Sequence, residues 1–405
     1  MKNNYVLSVI VKVSPETTDK KFEKTLQSIY GKLSHDVVQV IVEMAEEISE
    51  LKEVLNEYTD KVEIVSEVSS CDVKGSYLNV LEAGEYWEGN SLPMLMEQME
   101  AGEAELISAC GEAGIHYIVN EASNAMMDIA PLMIQSKYKE QVLSLIQAEP
   151  LERLLGITSL CLQAKTYLSL ARCSVKYKKT VLTVEEDWYT GKLGQFAKTL
   201  NELSVQLYGT EIYYVQNIIM NLISSCLKNK LHKELSEEEQ QDFVAFLKER
   251  IMVMNDMIIS KGGLNAALRM YVFELKYGEE IWNELQYRKG RIMFRNLLVF
   301  NLNNAYVIKK IQKKKNGDQT DVFLTINNPL EQKFTYLITD DAGEVYPLEK
   351  DTEVMEKPKA ECFGKVLTKE VVYKATVPTS ILDTIGYEYR FMKYNFGRMQ
   401  MKEKV

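Results

Sequence analysis

At 405 residues and 46.5 kDa, with 46% hydrophobic and 26% charged residues, the chain is long enough for two or three cores and too apolar for extensive disorder. A net charge of -10 and a pI near 5.2 exclude a general nucleic-acid binder, which needs a basic surface to neutralise phosphates, and give no overall attraction to anionic lipid. The six cysteines, Cys71, Cys110, Cys161, Cys173, Cys226 and Cys362, are scattered without CxxC spacing, so reduced and mostly buried thiols are expected.

The opening residues MKNNYVLSVIVKVSP hold one short apolar run that breaks at Lys12. That is too short for a signal-peptide core with its cleavage site or for a membrane span, and the expectation is a cytoplasmic protein, peripheral to a membrane at most. Tyr5 to Val13 is largely β-branched, the pattern of a strand buried on both faces of a parallel sheet. Phe22, Leu26, Ile29 and Tyr30 follow at helical spacing, then Val37 to Val42 reads as a second buried strand. Strand, helix, strand is a βαβ unit with a right-handed crossover. A helix over Ile48 to Tyr58 and a strand over Val62 to Ser66 continue the alternation, which defines an α/β domain. Further strands are expected over Ser76 to Leu81, Ala104 to Cys110 and Ile115 to Val119, with a helix over Ser91 to Glu100. Weaker helical patterns cover Gln141 to Leu155 and Ser159 to Ala171.

From about Glu185 to Tyr287 the apolar spacing is helical throughout. Trp188, Leu193, Phe196, Leu200, Leu203 and Leu207 form one stripe and Ile212 to Leu227 another. Ser236 with Glu239 is a capping box opening a helix whose core face is Phe243, Phe246, Leu247, Ile251 and Met254, and Gly262-Gly263 is its expected stop. The next helix, Leu264 to Tyr277, is expected to end on Gly278 as a left-handed cap. Lys309, Lys310, Lys313, Lys314 and Lys315 precede Asn316-Gly317-Asp318 and read as a solvated hinge, with a membrane surface or acidic polymer as the other use of such a run. Beyond them, short strands over 322–326, 334–338, 345–348, 362–367, 371–377 and 387–394 read as a small antiparallel sandwich. The division expected is an α/β domain over 1–180, a helical domain over 181–312 and a β-sandwich over 313–405.

The run Val73-Lys74-Gly75-Ser76-Tyr77-Leu78-Asn79-Val80-Leu81-Glu82-Ala83-Gly84-Glu85-Tyr86-Trp87 resembles a segment of bacterial family-2 glycosyltransferases of the teichoic-acid and surface-polysaccharide type, in which a strand ends on an Asp-x-Asp pair. LSVIVKVSP followed by FEKTLQSI resembles the opening of that family. DWYTGKLGQF, YYVQNIIM and FELKYGEEI resemble its helical region, and YNFGRMQ its closing strand. The likeness covers nearly the whole chain. It implies a GT-A nucleotide-sugar-binding fold with a mostly parallel sheet, followed by the helical and sandwich domains.

In that family the acidic pair holds a divalent cation, Mg or Mn, against the donor diphosphate, as hard cations require oxygen ligands. The matching carboxylates are Glu82 and Glu85, with Gly84 at the central aspartate. The family's base-binding motif falls on Glu43-Met44-Ala45-Glu46, which makes Glu43 a candidate nucleotide-sugar contact and puts Met44 where an aspartate stands. Its ARNxG helix start has no counterpart, because only Val68-Ser69-Ser70-Cys71-Asp72 occupies that stretch. Asp187, in Glu186-Asp187, is the candidate catalytic base, against the plainer reading of an acid favoured at a helix start. Trp87 either stacks on a sugar or base or packs against the sheet edge.

Bland readings serve the remaining residues: a hydrogen-bonded core histidine at His116, surface positions for His35 and His232, and helix core for Met252, Met254 and Met257. No GxGxxG or GxxxxGKS phosphate loop is present. Two functions stay open. One is a non-catalytic relative of the glycosyltransferases, serving surface-glycan synthesis as a subunit or glycan-binding scaffold with no certain cofactor. The other is an active divergent inverting enzyme that moves a sugar from a nucleotide-sugar to a polymer acceptor with Mg or Mn. Partners implied are a nucleotide-sugar, a glycan acceptor, and a partner glycosyltransferase or second copy; nucleic acid and a transmembrane segment are not expected.

Overall fold

The structure is a computed structural model that describes residues 5–46, 48–109, 111–121, 126–289, 291–301, 308–391 and 399–401. The chain forms two compact units, Met1–Thr183 with Gly194–Ile219 and Val184–Leu193 with Met220–Val405. This partition differs from the three bodies suggested by the sequence pattern, because the helical stretch is divided between the two units.

In the first unit the path is β1 (Leu7–Lys12), α1 (Asp19–Tyr30), β2 (Val38–Glu43), α2 (Lys52–Glu57), β3 (Val62–Val65), β4 (Tyr77–Glu82), β5 (Tyr86–Trp87) and α3 (Ser91–Ala101). It continues through β6 (Leu106–Ser108), β7 (Gly114–Tyr117), β8 (Leu132–Gln135), α4 (Lys139–Ile146), α5 (Pro150–Ala164), β9 (Thr166–Ser169) and β10 (Val175–Lys176). Among the described residues the main sheet has eight strands in the order β3-β2-β1-β4-β8-β6-β9-β7. β3, β2, β1 and β4 are mutually parallel, and β8 is antiparallel to both β4 and β6. Every residue of β2 and all but Lys12 of β1 are buried, which is why both are rich in valine and isoleucine. Phe22, Leu26 and Ile29 of α1 close one face of this core. The mostly parallel α/β sheet is therefore the one expected.

The weak helical patterns resolve differently. Pro150 has no amide to continue a helix, so α4 ends at Ile146 and Pro150 opens α5. α5 ends at Ala164, and Lys165, with a φ of +64°, turns the chain into strand β9 where a helix to Ala171 was expected. β7 is an edge strand with Ile115 66% and Tyr117 59% exposed, not a buried one. His116 thus sits on an exposed strand, its ring stacked on Tyr167 at 4.7 Å and its Nδ1 3.4 Å from Glu121.

α6 (Leu193–Tyr208) and α7 (Tyr213–Lys228) follow, and the boundary of the units falls within α7. The second unit holds α8 (Glu237–Val253), α9 (Asp256–Lys261), α10 (Ala266–Tyr277) and α11 (Ile281–Glu284). The Ser236–Glu239 capping box is present in both directions. α8 stops before the Gly262-Gly263 pair because Asn255 caps a new helix, its side chain accepting from Met257 N at 2.9 Å. Met252, expected in the core, is 53% exposed, whereas Met254 is buried. Gly278 ends α10 at φ +70° and ψ −167°, outside the left-handed helical region. His232, expected at the surface, is buried against the Phe363 ring, and burial lowers its pKa.

The remaining strands are antiparallel. β11 (Leu285–Arg288), β12 (Arg291–Phe294) and β13 (Leu297–Asn301) form one sheet. β14 (Ile308–Asn316), β15 (Gln319–Asn327), β18 (Glu349–Lys350), β19 (Lys357–Cys362) and β20 (Lys365–Pro378) form a second. β16 (Phe334–Thr339), β17 (Val345–Pro347), β21 (Gly386–Phe391) and β22 (Met399–Met401) form a third. The lysine run is not a hinge. It lies on β14, an edge strand joined to β15 by a two-residue Gly317-Asp318 turn with Gly317 at φ +65°. Cys110 and residues 392–398 of the expected closing strand lie outside the described residues. The other five cysteines are free and buried. Among the described residues no helix is long and apolar enough to cross a membrane.

Candidate functional site

In an open parallel sheet, ligands bind beyond the carboxyl ends of the strands, where the order reverses. Here that place is the end of β1, flanked by β2 and β4. Lys12, the last residue of β1, pairs in register with Glu43 on one side and Glu82 on the other. Three charged side chains thus start from neighbouring strand ends on the same face of the sheet.

Glu43 is 4% exposed. Its Oε1 accepts from Gln147 Nε2 at 2.7 Å and from Val68 N at 3.3 Å, while Oε2 is buried without a protein partner. Lys12 Nζ donates to Ile146 O at 2.8 Å and to Gln147 Oε1 at 3.4 Å. Ile146 is the last residue of α4, so the ammonium satisfies one of the carbonyls a helix end leaves open and sits at the negative end of its dipole. Gln147 bridges the two strands, donating to Glu43 and accepting from Lys12. The end of α4 is therefore bonded across the carboxyl ends of β1 and β2. Met44, in the position of the family's aspartate, is buried in the core beside them.

The Glu82–Glu85 turn is tied down atom by atom. Ala83 N donates to Lys12 O, and Gly84, at φ +106°, donates its amide to Thr25 Oγ1 at 2.8 Å. Thr25 Oγ1 in turn donates to Glu85 O at 2.7 Å. Glu85 is buried, and both carboxyl oxygens accept backbone amides, Oε2 from Glu82 N and Oε1 from Lys178 N, each at 2.9 Å. Burial nevertheless pushes its pKa up to about 7, outweighing those two bonds, with Glu82 and Asp128 adding to the rise. Glu82 is exposed. Trp87 is 5% exposed and donates its indole N–H to Asn79 Oδ1 at 3.3 Å, a packed position rather than an open stacking platform.

Around these groups lies a cavity of about 40 Å³ bounded by Lys12, Glu82, Glu85, Asp128, Arg153 and Lys178. Ligand pockets run from about 300 to 1,000 Å³, and 40 Å³ holds roughly one water. A divalent cation also finds no ready ligand set. Glu85 is committed to two amides, Asp128 Oδ1 accepts from Thr180 N at 2.8 Å, and among the described residues no three His, Cys, Asp or Glu side chains converge to hold a metal. The residues present do not fit Mg or Mn.

No protein-family model matches the sequence, and no curated protein matches it. Solved structures do. The crystal structure of S. aureus TarS aligns with 97% of this chain and 77% of its own at 11% identity and a TM-score of 0.48. The 1-349 fragment of that protein, in complex with UDP-GlcNAc, aligns with 71% of this chain and 96% of its own at 12% identity and a TM-score of 0.42. The mannosyltransferase PcManGT from Pyrobaculum calidifontis, in complex with GDP-Man and Mn2+, aligns with 68% and 85% at 11% identity and a TM-score of 0.36. These are likenesses of chain path, at identities too low to carry chemistry across.

Four of the five candidate residues belong to the first unit, with Glu82 and Glu85 on one turn, Glu43 under Gln147 and Trp87 buried. Asp187 belongs to the second, where it is more than half exposed and pairs with Lys192 at 3.0 Å across the π-helical turn Trp188–Lys192. Sequence reasoning missed Lys12, Gln147 and Arg153. The one signal available was a lysine ending an otherwise apolar strand.

Proposed function

We propose that the chain is a glycosyltransferase-like protein of surface-glycan synthesis that transfers no sugar itself and acts as a non-catalytic subunit or glycan-binding scaffold beside an active partner or a second copy. The observation that carries this reading is the closure of the strand-end crevice. Lys12, Gln147 and Glu43 hold the end of α4 across the ends of β1 and β2, and the cavity beside Lys12, Glu82 and Glu85 has only about 40 Å³. A fold outlasts its chemistry readily, since the core and the site draw on different residues.

The second reading, an active divergent inverting enzyme, is favoured by one observation: Glu82 and Glu85 stand at the carboxyl end of β4, where open parallel sheets bind ligands. Glu82 and Glu85 would then have to leave their present bonds to meet a metal, with Asp187 as base. Donor turnover separates the two readings. Incubation with a panel of nucleotide-sugars and manganese or magnesium should release no free sugar from the wild type. Release that disappears in Glu82→Ala with Glu85→Ala would establish the enzyme instead.

A further inference from the structure

Two cavities of the second unit share a wall. One, of about 850 Å³, lies among α8, α10 and the β19–β20 turn; the other, of about 590 Å³, lies among α10, α11 and the start of β20. Tyr271, Glu274, Glu279 and Lys365 line both, so the two form one groove with α10 as its floor. Each part is within the size range of ligand pockets, and together they suit an elongated ligand. The cavity beside Lys12, Glu82 and Glu85 in the first unit, at about 40 Å³, is far smaller.

We propose that this groove binds an uncharged oligosaccharide, which places the ligand of the glycan-binding scaffold proposed above and rests on that reading. Each end carries a half-buried aromatic ring, Phe363 in one cavity and Trp282 in the other. Phe363 is rigid: its backbone sits at φ +46° in the two-residue turn with Gly364, held there by ring contacts to Phe243 at 5.1 Å and His232 at 4.9 Å. Fixed ring faces suit the apolar C–H faces of sugar rings. Gln240, Gln241 and Glu279 line the walls with donors and acceptors for hydroxyl groups. Charge selects the class. The lining holds four glutamates, Glu237, Glu274, Glu279 and Glu280, and four lysines, Lys248, Lys276, Lys333 and Lys365, of which Lys365 is paired with Glu274 and Lys276 with Asp256. Such a wall, without excess positive charge, gives a polyanion no net attraction and an uncharged polar chain no penalty.

The test uses the full chain and the change in its tryptophan fluorescence on titration, since Trp282 lines the groove and Trp87 and Trp188 do not. Tetrasaccharides of glucose and of N-acetylglucosamine are titrated beside polyphosphate and an amphipathic helical peptide. One of the two sugars should give saturable binding that Trp282→Ala and Gln241→Ala each weaken by about ten-fold, read for Trp282→Ala by calorimetry. Lys313→Ala, on β14, should leave it unchanged. Gln241 is exposed, so its variant stays informative if Trp282→Ala misfolds. Silence from both sugars, binding untouched by either variant, or capture of the polyanion or peptide instead would overturn the groove. Donor turnover together with sugar binding would remove the non-catalytic reading and keep the groove; no turnover and no sugar binding would do the reverse.

Discussion

The Lys12 ammonium donates to the Ile146 carbonyl at 2.8 Å, fastening the end of the first strand to the end of α4, 134 residues later. A charged donor on a part-buried carbonyl contributes about 1–3 kcal/mol, and the helix dipole favours the same cation. Lys12→Met should therefore lower the unfolding free energy by about 1–3 kcal/mol in urea, with an unchanged m-value. Equal stability would mean that the bond does not hold α4 in place.

Glu85 ties stability to pH. Its folded pKa, about 7, lies above the ordinary 4.5, so below pH 4.5 both states hold the proton and the site costs nothing. Between pH 4.5 and 7 the unfolded chain ionises first, and stability falls as pH rises; above pH 7 the loss is complete, about 3 kcal/mol at most. Glu85→Gln should flatten this slope in denaturation curves taken across that window. An unchanged slope would assign the pH dependence to another group.

Gly75 has no room for a side chain. A Cβ there would lie 2.3 Å from Ser8 N, and the Gly75 amide already donates to Ser8 Oγ at 2.8 Å. Gly75→Ala must push β4 away from β1 and should cost about 1–3 kcal/mol, seen as a lower melting temperature. A variant as stable as the wild type would contradict the register of this strand pair.

Much of this fold could be read from the chain because burial writes itself into local patterns. β1 and β2 are buried on both faces and are rich in valine and isoleucine; Ser236 and Glu239 form their cap across a spacing of three residues. The strand that leads into the turn of Glu82 and Glu85 was legible too, expected over Ser76 to Leu81 and found over Tyr77–Glu82. What closes the crevice was not. Lys12 and Gln147 meet only after α4 packs back over the strand ends, and no local spacing encodes a contact of that range. His232 stands among lysines and a glutamate in sequence, with Leu231 beside it, yet Phe363 arrives from a distant hairpin to bury it. The lysines of β14 looked like a hinge because an edge strand that must stay solvated and a linker share the same composition.

Among the described residues no second strand pairs with β14 beyond β15, and those lysines line that edge. β14 lies at the end of its sheet with Lys309, Lys310, Lys313, Lys314 and Lys315 all exposed, and lysine on an edge strand discourages a second chain from adding to it. Replacing Lys310, Lys313 and Lys314 by threonine should raise the mass measured by light scattering as concentration increases. No change relative to the wild type would mean that another feature protects the edge.

Whether the crevice beyond β1, β2 and β4 admits a nucleotide-sugar is read most directly by isothermal titration of UDP-GlcNAc and GDP-mannose, the ligands in the two similar structures, into the full chain with manganese present. A crevice closed by Lys12, Gln147 and Glu43 gives no saturable heat up to millimolar donor. Saturable binding at micromolar donor that Glu43→Ala abolishes would contradict it.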